Sequence, residues 1–258
     1  VTGSVTYRNA DATGEGLLVP RILDLFCCQG GAGTGYHRAG FDVVGVDIDP
    51  QPNYPFRFHQ GDALVVLRDL LLSDILGTPV KLGGEEYVLT DFDAIHASPP
   101  CQAYSTITPD KSKHPELIGP VREFLTESGL PYVIENVDGA KRELVDPVML
   151  CGSSFGLRVR RHRWFESNIP VMSMPCQHAA QGQPVGVYGD HPDKKQVLRP
   201  DGRSRGAKAT SVDDARDAMG MPWADWVGCA EAIPPAYTEW IGKQLLEHVR
   251  AEGVSSVG

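Results

Sequence analysis

The chain has 258 residues, 41% of them hydrophobic, and a net charge of −9. That is enough apolar material for one sizeable core with a small appended lobe. No run of about 18 apolar residues occurs, which excludes a membrane-spanning helix, and the polar residues 1–15 lack the basic-then-apolar pattern of an export signal, so a cytoplasmic, monomeric protein is expected.

Taken in order, the first half alternates strand-like and helix-like segments, the pattern of an α/β fold with a doubly wound, mostly parallel sheet and helices on both faces. Residues 21–26 are predicted as a first strand. The turn Cys28-Gln29-Gly30-Gly31-Ala32-Gly33 leads into a helix over 33–39 closed by Gly40. Glycines there let a ligand approach the backbone and let the helix start close to the sheet. A second strand, 43–47, ends on Asp47, about twenty residues on, where a carboxylate can accept hydrogen bonds from a ribose. Asp62 follows a short third strand or turn over 59–63 and could accept from an adenine amino group. Each acid alone also reads as a helix N-cap or a loop charge; together they suggest a nucleoside-bearing cofactor. No Lys-Ser/Thr pair follows the glycines, which disfavours a nucleoside triphosphate.

A leucine- and valine-rich helix is predicted over 64–76 and a small hairpin over 81–90 with Gly83-Gly84 as its turn. Strand 92–97 runs into Ser98-Pro99-Pro100-Cys101-Gln102. This places a cysteine at the carboxyl end of a strand, on a loop stiffened by two prolines, which suits a nucleophile; a buried, inert cysteine is the competing reading. A helix over 120–128 is ended by Gly129-Leu130-Pro131. Strand 132–135 then brings Glu135 to the same sheet edge, where burial favours its neutral acid and a donor for a ring nitrogen. In Arg160-Arg161-His162-Arg163-Trp164, strand alternation would send Arg161 and Arg163 to one face, for chemistry or for gripping phosphates.

Beyond about residue 168 the pattern breaks down until helices over 212–219 and 236–250, with 254–258 expected to fray. Three segments follow: a catalytic and cofactor-binding domain (1–167), a small irregular recognition region (168–208) and a C-terminal segment (209–258) that returns to the first. Between Arg158 and Lys208 lie ten Lys/Arg and four Asp/Glu, so a basic segment sits inside an acidic protein, the footprint of a localised polyanion contact. The six cysteines fit free thiols in a reducing compartment. Cys176 and His178 lie close, but no second ligand pair stands at a metal-binding spacing, so no metal site is expected.

From about residue 21 to 242 these motifs resemble the DNA (cytosine-5) methyltransferases. Asp24-Leu25-Phe26 with Gly30-Gly31 matches the family's cofactor turn, Pro100-Cys101-Gln102 its nucleophile motif, Glu135-Asn136-Val137 its glutamate motif and Arg161-His162-Arg163 its paired arginines. Met219-Gly220-Met221-Pro222 and Ala232-Ile233-Pro234-Pro235 resemble the segments around the last motif. The resemblance implies a class I, Rossmann-like methyltransferase using S-adenosylmethionine on double-stranded DNA. It assigns Cys101, Glu135, Arg161 and Arg163 to catalysis. It assigns Asp24, Phe26, Gly30, Gly31, Asp47, Ile48, Asp62, Pro99, Glu231 and Ala232 to the cofactor. Gln102, Tyr104 and Ser105, on a loop closing over an extruded base, and Lys194, Lys195, Arg199, Arg203, Arg205 and Lys208 are assigned to nucleic acid. The chain departs from the pattern at Cys28, where a glycine is usual, and at Val159, Ala230 and Glu231. An RNA cytosine substrate, a catalytically silent DNA-binding homologue and an enzyme of free nucleotides are the alternatives.

Overall fold

The computed structural model describes residues 19–255 apart from 107, 190 and 194–206. Eleven strands are present among them: β1 (Arg21–Leu25), β2 (Asp42–Asp47), β3 (Arg57–Gln60), β4 (Val80–Leu82), β5 (Glu85–Tyr87), β6 (Ala94–Ala97), β7 (Tyr132–Val137), β8 (Val148–Leu150), β9 (Arg163–Ser167), β10 (Val185–Gly186) and β11 (Ala207–Lys208). The helices are α1 (Gly31–Ala39), α2 (Ala63–Leu76), α3 (Ile118–Ser128), α4 (His178–Gln181), α5 (Val212–Met219), α6 (Trp226–Glu231) and α7 (Pro235–Ser255).

Seven strands form one sheet in the order β3-β2-β1-β6-β7-β9-β8. The first five are mutually parallel; β9 and β8 close the edge antiparallel. The short apolar runs of β1, β2 and β6 are buried nearly throughout, as strands covered on both faces must be. Side-chain alternation divides their residues between two cores. Leu23, Leu25, Ile95 and Ile134 face α2 and α3. Ile22, Ala94 and Val133 face α1 and α7. The intervening Asp24, His96 and Glu135 therefore lie on the α1 face, and Asp24 and His96 stand opposite each other in register.

The predicted hairpin is present as β4 and β5. Elements not legible in advance include β8, only three residues long, the short α4, β10 and β11 of the recognition segment, and α6, a single turn and a half begun by Asp225, whose carboxylate accepts from Gly228 N at 2.9 Å. A third, smaller core gathers Val159, Val187 and Ala209 with α5 and α6. Side-chain packing thus groups residues 209–232 mainly with the recognition segment, while Ile233 and α7 return to pack on the α1 face.

Candidate active site

Chain order reverses between β1 and β6: from β1 the chain turns to β2 on one side, while β6 continues to β7 on the other. Ligands bind outside the carboxyl ends of strands at such a switch point. The turn after β1 and the Pro-Pro-Cys loop after β6 meet there, joined by Ser98 N donating to Leu25 O at 3.1 Å. The loop is held on both sides of the thiol. Asn136 Nδ2 donates to Pro99 O at 2.9 Å, and Tyr104 N and Ser105 N donate to Cys101 O at 3.0 and 2.8 Å. Burial pushes the partly buried Cys101 thiol up; Arg163 opposes that and Glu135 adds to it. The resting sulfur is therefore a thiol, and its proton must leave as it attacks.

Glu135, at the end of β7, is 6% exposed. Burial pushes its carboxyl up, while Arg163, a Ser98 hydrogen bond and Arg161 pull it down. Arg163 Nε lies 3.1 Å from Glu135 Oε1, yet that oxygen has no aligned hydrogen bond among the described residues. The ion pair thus leaves an unused acceptor, or a proton position, facing the edge. Behind Glu135 runs a buried polar chain that sequence reasoning missed. Tyr36 Oη is 3.0 Å from His96 Nδ1, and His96 Nε2 is 2.9 Å from Ser98 Oγ. Burial drives His96 down to about 3, so the ring is neutral. With Ser98 donating to Glu135, one proton order satisfies every member: Tyr36 to Nδ1, Nε2–H to Ser98, Ser98 to Glu135. The available signal was a histidine inside an apolar strand with a serine two residues on, hence on the same face.

The arginine pair is not what strand alternation predicted. β9 begins only at Arg163, and Arg161 has φ 40°, left-handed backbone that breaks the alternation. Arg163 turns to Glu135, whereas Arg161 is partly buried and donates to Val187 O at 2.8 Å and to Ala230 O. Burial, with Arg163 nearby, drives its guanidinium down to about 9. Arg161 thus braces the strand end, the recognition segment and α6 against one another; its one aligned role toward the thiol is its field.

On the cofactor side, the glycines serve the protein itself. A Cβ on Gly31 would lie 2.3 Å from Ile233 O, and one on Gly30, already at φ 81°, 2.8 Å from Pro55 Cδ. Ala232 is buried against Gly31. Asp24 is fully buried beneath the turn, accepting from Tyr54 Oη at 3.0 Å, so it shapes the turn instead of lining an open surface. The open residues are Asp47, Ile48 and Asp62. Asp47 accepts one backbone bond on each oxygen, from Cys28 N and Asp49 N. Asp62 caps α2 through Oδ1 alone. Both keep acceptor capacity, and between them Ile48 is 65% exposed. Glu231 stands across from Cys28, its carboxyl pushed up by burial and by the charges of Asp47 and Asp49. Acceptors, an open apolar side chain and crowded carboxylates fit a ligand with hydroxyl and amino donors, a flat ring and positive charge; Phe26, at φ 58°, and Pro99 border this edge.

Cys28 has φ 46°, the left-handed backbone that glycine adopts without cost. Cys28→Gly is expected to raise stability by up to about 1 kcal/mol and Cys28→Val to lower it by about 2 kcal/mol, measured by urea unfolding.

Of the residues assigned to nucleic acid, Gln102 is exposed and Ser105 partly buried. Tyr104 is a correction: it is 7% exposed, packs in the larger core and accepts from Ile118 N through its hydroxyl. An aromatic ring surrounded by apolar neighbours gains more from that core than from solvent, so it supports the loop from beneath. Lys194, Lys195, Arg199, Arg203 and Arg205 lie outside the described residues. Lys208 Nζ sits 5.2 Å over the Trp226 ring. The basic count of the segment also overstates what is free for phosphates, since Arg158 pairs with Asp214 and Asp217.

The expectation that Cys176 and His178 have no companion pair is corrected as well. Folding brings Cys151 and His162 to them, and the four ligand-type atoms lie within 4.8 Å of one another.

Residues 20–141 match the family model for the C-5 cytosine-specific DNA methylases. The chain is 24% identical over 240 residues to the type II methyltransferase M.XorII of Xanthomonas oryzae pv. oryzae, covering 86% of this chain and 53% of that protein. It is 22% identical over 210 residues to the type II methyltransferase M.DdeI of Desulfomicrobium norvegicum, covering 75% and 47%. The chain thus spans about half the length of these curated relatives. Among solved structures, an Escherichia coli protein assigned as a DNA modification methyltransferase encoded within a prophage aligns with a TM-score of 0.55 at 17% identity, over 90% of this chain and 99% of that one. At that identity the likeness concerns the fold.

Proposed function

We propose that this chain is a member of the DNA (cytosine-5) methyltransferase family and methylates carbon 5 of a cytosine in duplex DNA. The observation that carries the reading is the meeting of the Cys101 loop with the Glu135–Arg163 pair at the switch point of the sheet. Carbon 5 of cytosine is too weak a nucleophile to accept a methyl group directly. Attack of the Cys101 sulfur on carbon 6, with loss of the thiol proton, makes carbon 5 an enamine carbon. Glu135, held toward its acid form by burial, gives a proton to ring nitrogen 3 as attack proceeds. Arg163, fixed beside Glu135, donates to the base carbonyl and offsets charge that develops there. Bound S-adenosylmethionine would supply the methyl group, and Asp47, Ile48, Asp62 and Glu231 would hold it. Loss of the carbon 5 proton and expulsion of the thiolate complete the cycle. The base must leave the stack, which costs a few kcal/mol, and Gln102 and Ser105 stand beside the thiol to line its place.

The test supplies labelled S-adenosylmethionine with duplex DNA of random sequence and, in parallel, transfer RNA. Label on duplex cytosine, mapped by bisulfite sequencing, together with a covalent adduct on 5-fluorocytosine duplex, is the expected result. Label on RNA alone would move the substrate. Duplex binding without label or adduct would leave a silent DNA-binding homologue.

A further inference from the structure

We propose that Cys151, His162, Cys176 and His178 form a closed, structural zinc site that ties the catalytic edge of the sheet to the recognition segment. The four residues come from three separate stretches. Cys151 follows β8, His162 sits between Arg161 and Arg163 just before β9, and Cys176 and His178 lead into α4. Their ligand atoms converge on one point. His162 Nε2 and His178 Nε2 are 3.2 Å apart, Cys151 Sγ is 3.3 Å from His178 Nε2, and Cys176 Sγ is 3.6 Å from His162 Nε2.

These separations are edges of a metal tetrahedron. With zinc bonds of about 2.3 Å to sulfur and about 2.05 Å to nitrogen, tetrahedral angles place two nitrogens about 3.4 Å apart and a sulfur and a nitrogen about 3.6 Å apart. Hydrogen bonding alone accounts poorly for the same cluster. Two Nε2 atoms facing each other can share only one proton, and both histidines present the same ring atom. The rings lie nearly parallel, 19° apart, and both thiols point to the same spot. Two thiolates and two imidazoles select zinc over the hard oxygen-seeking cations. Four protein ligands leave no open position, so the site is structural and not catalytic.

The surroundings support the ligands from outside. Ser153 Oγ lies 3.0 Å from Cys151 Sγ and accepts from Gln177 N at 3.0 Å. Ser154 Oγ donates to Pro175 O at 2.9 Å. Gln181 Nε2 donates to Leu157 O and Val159 O at 2.9 and 2.8 Å, fastening α4 beside the cluster. Such partners fix ligand orientation around a metal. The consequence lies one residue to either side of His162. A metal bond there fixes the backbone that carries Arg163 toward Glu135 and Arg161 toward Val187 O and Ala230 O.

The experiment measures metal in the purified full chain, expressed with zinc, by plasma mass spectrometry. One zinc per chain is expected, lost in Cys176→Ser and in His178→Ala and kept in Cys28→Ser, which lies elsewhere. Cobalt in place of zinc is expected to give the intense visible bands of a tetrahedral site with thiolate-to-metal charge transfer, weakened in Cys176→Ser. Chelation is expected to lower the melting temperature of the wild type and to leave that of Cys176→Ser unmoved. A folded wild type without metal, a Cys151–Cys176 disulfide in its place, or zinc retained by the Cys176→Ser, His178→Ala double variant would overturn the proposal. None of these readouts depends on methyl transfer.

Discussion

Cys101→Ser is expected to cut methyl transfer at least a thousandfold, roughly the scale lost when an enzyme's nucleophile is removed, while duplex affinity stays within a few-fold. The asymmetry comes from where Cys101 sits. Its backbone carbonyl holds Tyr104 N and Ser105 N, and those bonds do not involve the side chain. Serine therefore preserves the loop. What it removes is an atom that can shed a proton during attack. The environment already pushes the thiol up through burial, with Arg163 only opposing that. A hydroxyl starts far higher, and the same burial adds to it. Under the proposed function, binding would rest instead on the basic segment and on contacts spread over a duplex. Glu135→Gln is the companion variant: it keeps shape but cannot give a proton to nitrogen 3. A serine variant that still labels cytosine at a tenth of the wild-type rate would end the covalent reading, and one that loses duplex binding in step with turnover would show that the loop had moved.

The sheet was legible because its strands announce themselves. Runs such as Val43-Val44-Gly45-Val46 and Ala94-Ile95-His96-Ala97 are apolar on both faces, and only parallel strands covered by helices need that. The loop ends were legible for the same reason, since prolines, glycines and acids gather where strands stop. Asp62 shows that two readings of one residue need not compete: it caps α2 through Oδ1 and keeps Oδ2 for another donor. What was not legible depends on partners distant in sequence. Arg161 and Arg163 read as neighbours on a strand, but Val187 O and Ala230 O, 26 and 69 residues away, draw Arg161 out of it. Tyr104 read as part of a loop closing over a base because nothing local reveals the apolar surface of α3 beneath it. The four-residue Cys/His cluster escaped because ten residues or more separate its members apart from Cys176 and His178, and linear spacing detects only sites built from pairs.

Asp24 on β1 stands opposite His96 on β6, with Glu135 further along the same face on β7, and the protonation of Asp24 sets the second large effect. Burial drives Asp24 up to about 8, with the Tyr54 hydroxyl opposing and Asp47 adding. Burial drives His96, opposite it in register, down to about 3. Near neutral pH both groups are uncharged, one by keeping a proton and the other by lacking one. In the unfolded chain Asp24 titrates near its ordinary 3.8. Between that value and about 8 the native state holds a proton that the unfolded state has released, so stability declines as pH rises through this window and levels off above it. A displacement of that size corresponds to a loss of up to about 5 kcal/mol. Asparagine mimics the protonated acid, keeps an oxygen for Tyr54 Oη and has no proton to lose. Asp24→Asn is therefore expected to match the wild type near pH 4 and to exceed it by several kcal/mol at pH 9, as read from urea unfolding at each pH. The difference between the two proteins cancels every other titrating group, so a flat difference across the window would show that Asp24 is ionised in the native fold. In that case the turn above it, and with it the cofactor edge at Asp47, would rest on a buried charge and not on a buried acid.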